Sequence, residues 1–309
     1  MAAPSSRTNG ERSPARFDVR LVQLKPSKGR YAENLAQSGE IFAQIVTEGT
    51  PDLIVFPEAA MTGYFLEGAV YDLARPAKAF ADDLVRTWRN AAGEREVDLC
   101  SGFYENDDGT YYNSAIYMHV GRSDYEIVHV HRKMFLPTYG VFDEERFLSR
   151  GRRLQTFETR VGRMAILICE DIWHAIMPTI AAIKGARAII VPSAAPGRGI
   201  EGDHELTSIT HWNEILRANA SEHGIFVLYA GLTGFEGGKG MTGSSCIVDP
   251  RGAISVQAPE IGECVVSGTI DLRESDLARA TLPLLGDLNA VLPDLLLDDE
   301  LPLPKGRTP

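Results

Sequence analysis

Short apolar runs, each cut off by proline, glycine or charge, recur along this chain, and they constrain its fold more than any other feature. LIVF (Leu53 to Phe56), held between Pro51 and Pro57, has no polar side and reads as a strand buried on both faces. FDVRLVQL (Phe17 to Leu24), RMAILIC, RAIIVPS and IFVLYAG repeat the pattern. Helical spacing fills the gaps: Leu35, Ile41, Phe42, Ile45 and Val46 before a stop at Gly49, then Phe80, Leu84 and Trp88. SITHWNEILRANASEH is a later helix that Gly224 can cap. Hairpin signals interrupt the alternation, at NDDGT and GRSD between VDLCSGFYE, YYNSAIYMHV and YEIVHVHRK, and at DPRG near the end. Strands that alternate with helices in places and turn back in others predict an α/β fold with mixed sheets.

Residues 16–285 contain no internal linker or repeat and read as one domain, preceded by a leader at 1–15. The Leu- and Pro-rich segment 286–309 is expected to be too broken for a long helix and to pack on a partner subunit. Hydrophobic residues at 44% are enough for a substantial core, and a net charge of −11 argues against a general nucleic-acid binder. No stretch approaches the ~18 apolar residues of a membrane span, and the opening segment lacks the apolar core of a secretory signal. Cys100, Cys169, Cys246 and Cys264 are widely spaced without a CxxC pair, which fits a reducing cytoplasm.

Three chemistry-bearing residues follow apolar strands: Glu58 after LIVFP, Lys133 after YEIVHVHR, and Cys169 at the close of RMAILI. Such strand ends are where α/β layers present reactive groups. Together they would form a nucleophilic site, with a carboxylate as proton acceptor, a thiol as attacker and an ammonium for the oxyanion. Taken singly, each has a plainer reading: a buried structural thiol, a solvated strand end, a turn acid.

The surrounding blocks carry more. VFPEAAMTGY, HRKMFLPTYGVFDEERF and ILICEDIWH, with RAIIVPSAAP and GSSCIVDPRG behind them, resemble the signature blocks of the nitrilase superfamily of carbon–nitrogen hydrolases over Phe17 to Leu272. The resemblance implies a four-layer αββα sandwich that pairs into a homodimer. It also implies Glu58 as general base, Lys133 as oxyanion-stabilising cation, Cys169 as nucleophile and Glu144 as a second glutamate, with Glu145 adjacent and not separable from it by sequence. No metal or organic cofactor enters that chemistry. Cys-Glu-Asp-x-Trp, with FPE…TGY and KMFLPTYGVFDE, is most similar to the glutamine-amidase domains of NAD synthetases, where positions matching Tyr64, Tyr139, Glu170 and Trp173 line the amide pocket. Ala195 stands where those domains tend to carry a serine, and the sequence ends where the synthetase domain would begin. A free-standing hydrolase of a small-molecule amide is therefore expected. Nitrile hydrolysis, a glutaminase feeding a partner, and a non-catalytic binding protein on the same fold are the alternatives. In CEDIWH the acids Glu170 and Asp171 read as pocket wall and turn support, with the Glu170 N–H aimed at the chemistry, and His174 is a further candidate substrate contact.

Weaker signals have plainer readings. His129 and His131 share a strand face as metal ligands would, but no third ligand accompanies them in a motif. GGKGMTG lacks the ending of a phosphate loop and reads as a turn.

Overall fold

The computed structural model describes residues 16–201 and 205–297. The expected leader and the end of the expected tail, 298–309, lie outside the described residues. In chain order the first part runs β1 (Arg16–Gln23), α1 (Tyr31–Glu48), β2 (Leu53–Val55), α2 (Val70–Leu73), α3 (Ala77–Ala92), β3 (Val97–Asp107), β4 (Thr110–Val120) and β5 (Tyr125–Arg132). The second part runs β6 (Thr156–Thr159), β7 (Gly162–Ile166), α4 (Ile176–Ile183), β8 (Ala188–Ser193), β9 (Ile200–Glu201), β10 (Glu205–Leu206), α5 (Thr207–His223) and β11 (Phe226–Gly231). It closes with β12 (Thr233–Glu236), β13 (Lys239–Thr242), β14 (Cys246–Val248), β15 (Ile254–Gln257), β16 (Cys264–Asp271), α6 (Arg273–Thr281) and α7 (Leu284–Leu296).

Two six-stranded sheets result, ordered β16-β1-β2-β3-β4-β5 and β15-β14-β11-β8-β7-β6. Each is mixed: β1, β2 and β3 are parallel neighbours, as are β7, β8 and β11, with antiparallel strands outside them. Strand alternation sorts side chains between layers. Phe17, Val19, Leu21, Leu53, Val55, Ala115 and Tyr117 face inward and join the second sheet's core, whereas Val22, Ile54, Phe56, Ile116 and Met118 face Phe42, Ile45, Phe80, Leu84 and Trp88 of α1 and α3. On the far side, Met177 and Ala181 of α4 and Trp212 and Leu216 of α5 cover the second sheet. This is the four-layer αββα arrangement.

The helix expected to start after Arg30 buries Tyr31, Asn34, Ser38, Phe42 and Ile45, so Leu35, Ile41 and Val46 lie at the edge of its packed face. The segment expected to be too broken for a long helix carries the 13-residue α7, which begins two residues before 286 and so crosses the expected domain boundary. Pro293 has no N–H to give the Asn289 carbonyl, and α7 ends three residues after this break in its ladder; the Leu297 N–H still reaches the Pro293 carbonyl at 3.2 Å. Among the described residues no helix is long and apolar enough to cross a membrane.

Candidate active site

Glu58, Lys133 and Cys169 come from three different connections at one end of the two sheets. Glu58 sits in the turn after β2, and Gly102 on β3 lets that turn approach: a Cβ on Gly102 would lie 2.5 Å from the Glu58 Cα and 2.7 Å from the Pro57 carbonyl. Ala59, the next residue, is held at φ 51°. Cys169 opens a 3₁₀ turn, Cys169–Trp173, at φ 46°. A non-glycine residue rarely adopts that region, and such strain concentrates where a side chain must be aimed.

Lys133 is fully buried with its ammonium between two carboxylates. Its Nζ donates to Glu58 Oε1 at 2.8 Å and to Glu144 Oε1 at 3.0 Å, and lies 2.9 Å from Glu144 Oε2. The Asn113 side-chain amide donates to the same two acids, at 2.7 Å to Glu58 and 2.9 Å to Glu144. Glu58 Oε2 accepts the Ala194 N–H at 2.7 Å, which ties the first sheet to the end of β8 in the second. Glu144 is buried and its neighbour Glu145 is exposed, so burial separates the pair that sequence left open.

Burial alone would push the Lys133 ammonium down, but Glu144 and Glu58 together outweigh it and hold the group well above its ordinary range. Burial raises the Glu144 carboxyl; Lys133 opposes the shift and Glu58 adds to it. The Cys169 thiol is pushed far above the thiol range, first by burial and then by the Glu58 charge, with Lys133, the Ser193 hydroxyl and the Ala194 N–H acting against the shift. A thiolate here would be a further negative charge beside two buried carboxylates and one cation, so the resting thiol keeps its proton.

Asp171 is fully buried and binds the segments that carry Lys133 and Cys169 to each other. Its Oδ1 accepts the Met134 and Phe135 N–H groups at 2.9 and 3.0 Å, just past Lys133. Its Oδ2 takes the Ile168 N–H at 3.1 Å, just before Cys169, and contacts His131 Nε2 at 2.9 Å. His131 is thereby committed to a carboxylate. His129 instead stacks on Phe157, with ring centroids 4.7 Å apart.

Cys169 opens onto a cavity of about 210 Å³ lined also by Tyr139, Phe142, Glu170, Trp173, Ala195, Arg198, His211 and Trp212. Three expected pocket residues, Tyr139, Glu170 and Trp173, are therefore in its wall, and the Tyr139 hydroxyl donates to Glu170 Oε2 at 2.8 Å. Tyr64 is not in that wall. It lines a neighbouring cavity of about 290 Å³ with Tyr104, Phe142 and Glu144, and its ring lies under the Lys133 ammonium, 5.6 Å from Nζ to the ring centroid. His174 also lies outside the Cys169 cavity: it stacks on Phe135, centroids 3.6 Å apart, with Nε2 3.7 Å from Glu170. Asn113, Ser193 and Arg198 belong to the candidate site or its support although nothing in their local sequence singled them out, and His131, noted in the sequence only as half of a histidine pair, supports it through Asp171.

Residues 18–280 match the family model described as carbon-nitrogen hydrolase. The chain is 27% identical over 264 residues to a glutamine-dependent NAD(+) synthetase of Thermotoga maritima, covering 84% of this chain and only 43% of the synthetase. It thus spans less than half the length of that relative. A citrullinase of Francisella tularensis is 26% identical over 86% of this chain and 92% of its own. A crystal structure of a carbon-nitrogen hydrolase from Helicobacter pylori superposes with a TM-score of 0.80 at 24% identity, covering 92% of this chain and 99% of that one. With its αββα layers, its buried glutamate–lysine pair and a family match over most of its length, the chain belongs to the carbon-nitrogen hydrolase family of the nitrilase superfamily.

Proposed function

We propose that this protein hydrolyses the carbon–nitrogen bond of a small amide through a thioester on Cys169. The observation that carries the reading is the Lys133 ammonium, fully buried between Glu58 and Glu144 at 2.8 and 3.0 Å beside a proton-holding thiol. As sulfur attacks the carbonyl carbon, Glu58 takes the thiol proton and the C–S bond forms. The oxyanion is stabilised by Lys133 and the Glu170 N–H. Collapse breaks the C–N bond, and Glu58 returns the proton to the departing nitrogen, which leaves as ammonia or an amine. Water then gives a proton to Glu58 and attacks the thioester; collapse breaks the C–S bond, and the proton passes back to sulfur.

Glu144 stays out of proton transfer in this scheme. It supplies the second carboxylate that keeps Lys133 charged in a site too dry to hold an isolated ammonium. The names of the relatives, a glutamine-dependent synthetase and a citrullinase, support amide-type substrates. The test is ammonia release from a panel of amides, ureido acids and nitriles, together with mass analysis of the peptide bearing Cys169 after quenching. Wild-type protein is expected to release ammonia from amides and to carry an acyl adduct on that peptide, and Cys169→Ala to lose at least about 10³-fold in rate. Amide hydrolysis by Cys169→Ala at the wild-type rate would sink the proposal.

A further inference from the structure

We infer that Arg198 is a carboxylate-recognising residue of the Cys169 cavity, and that the substrate is a small amide carrying a carboxylate beyond the bond that is cleaved. The inference rests on the reading of Cys169 as nucleophile, which fixes where the scissile bond lies. It is carried by an arginine that is firmly placed and has no acid to hold among the described residues.

The Arg198 backbone is pinned to the start of α5. Its N–H donates to Ser208 Oγ at 3.0 Å, and its carbonyl accepts from Thr207 Oγ1 at 2.9 Å and from the Ser208 N–H at 3.2 Å. The guanidinium then lies over the loop that follows Lys133, 4.7 Å from the Phe142 ring centroid and 5.5 Å from that of Tyr139. Gly140 between those rings turns the loop at φ 64°, and the guanidinium packs over it: a Cβ built there would meet Nη1 and Nη2 in ordinary contact at 3.5 Å. Side chain and backbone are therefore both fixed, and the residue lines the same cavity as Cys169.

Among the described residues no carboxylate pairs with this guanidinium, and its Nη2 is buried without a hydrogen-bond partner. In a chain of net charge −11 an arginine so placed is conspicuous. The acid in the cavity wall, Glu170, is taken up by the Tyr139 hydroxyl and not by Arg198. A desolvated charge with unused donors is unfavourable until a partner of opposite sign arrives. The planar fork matches a carboxylate in two parallel hydrogen bonds, and stacking on two rings presets its plane. A neutral amide of equal size would leave that fork empty.

Succinamate and butyramide differ in a carboxylate against a methyl at the same distance from the amide, so their ratio of kcat/KM isolates the contact. The wild-type ratio is expected to favour succinamate. Arg198→Met should lower it roughly 30-fold, about 2 kcal/mol, with most of the change in KM, and Arg198→Lys should recover part of it. Calorimetric titration with succinate, which needs no turnover, should show weaker binding to Arg198→Met by a similar factor. A ratio and a succinate affinity that stay at wild-type values in Arg198→Met, with a wild-type unfolding midpoint, would overturn the inference. Cys169→Ala run beside it separates the two claims: if it is inactive and Arg198→Met leaves the ratio unmoved, only the carboxylate contact falls, whereas an active Cys169→Ala removes the nucleophile on which both rest.

Discussion

Replacing Asp171 with asparagine keeps the shape of a buried side chain and removes its charge, and four hydrogen bonds determine the outcome. The amide oxygen of the new side chain can still accept from the Met134 and Phe135 N–H groups, as Oδ1 of Asp171 does. The amide nitrogen would then face the Ile168 N–H and His131 Nε2, which now meet Oδ2 at 3.1 and 2.9 Å. The His131 ring can change tautomer and accept; the Ile168 N–H cannot. One orphaned buried N–H, about 1–3 kcal/mol, adds to the weakening of bonds that were charge-assisted, so a total of about 3–5 kcal/mol is expected. For a chain of this size that is a fall in unfolding midpoint of the order of 10 °C. Because the same carboxylate fixes the residues beside both Lys133 and Cys169, kcat should also fall, by roughly 10²-fold for a displacement near 1 Å. Calorimetry and steady-state kinetics on Asp171→Asn, His131→Phe and the double variant would measure the effect, and the cycle should show a coupling of about 1 kcal/mol or more. An unfolding midpoint within about 2 °C of wild type, with kcat intact, would mean that Asp171 does not bind the two segments together.

Other expectations follow from neighbouring features. Gly102→Ala would force its methyl into the Glu58 backbone at 2.5 Å, so it should cost about 1–3 kcal/mol in stability and lower kcat more than KM rises; unaltered kinetics would show that the turn yields freely. Burial, aided by the charge of His131, lowers the His129 pKa from 6.5 to about 4. The folded state therefore stays neutral where the unfolded chain takes up a proton, so the stability contribution is full above pH 6.5 and lost as pH falls toward 4. His129→Phe should flatten that part of a denaturation-versus-pH curve; a curve of the same slope would remove His129 as the cause. Alkylation of Cys169 by iodoacetamide should be slow at neutral pH in the free protein, since the thiol keeps its proton, and faster in Glu58→Gln, which removes the charge that adds to burial in raising the thiol. Labelling of that variant no faster than wild type would mean that Glu58 does not hold the thiol protonated.

Glu58, Lys133 and Cys169 were candidates because each follows an apolar strand, and strand ends in layered α/β proteins gather in one place, but it was the resemblance of the blocks around them that assigned them roles. The layers were legible for the same reason: buried strands such as LIVF have little other use. What surrounds the three was not. Asn113 lies inside a strand, and its role depends on β4 pairing beside β5 so that its amide reaches both Glu58 and Glu144. Asp171 was seen as turn support, but its bonds to His131, Met134 and Phe135 connect segments that no local pattern relates. His131 is the exception that sequence could have found, since it stands two residues before Lys133 on the same strand face. Tyr64 sits within the matched block and lines the neighbouring cavity, packed edge-on against Phe65 and Phe142 with its ring under the Lys133 ammonium, a contact that no local pattern foretells. Glu144 was distinguished from Glu145 only by burial, a property of the finished fold.

The pairing of β1 with β16 has a consequence for how the protein is made. Arg16 lies opposite Asp271 and Gln23 opposite Cys264, so the first of the described strands waits for the last of them before its outer edge is closed. Until then β1 presents a row of unpaired N–H and C=O groups beside Phe17, Val19 and Leu21, the kind of edge to which other chains add. Closing so long a loop is also slow. A chain cut short before Cys264 would expose that edge permanently and should aggregate even though every residue of the proposed reaction had already been made.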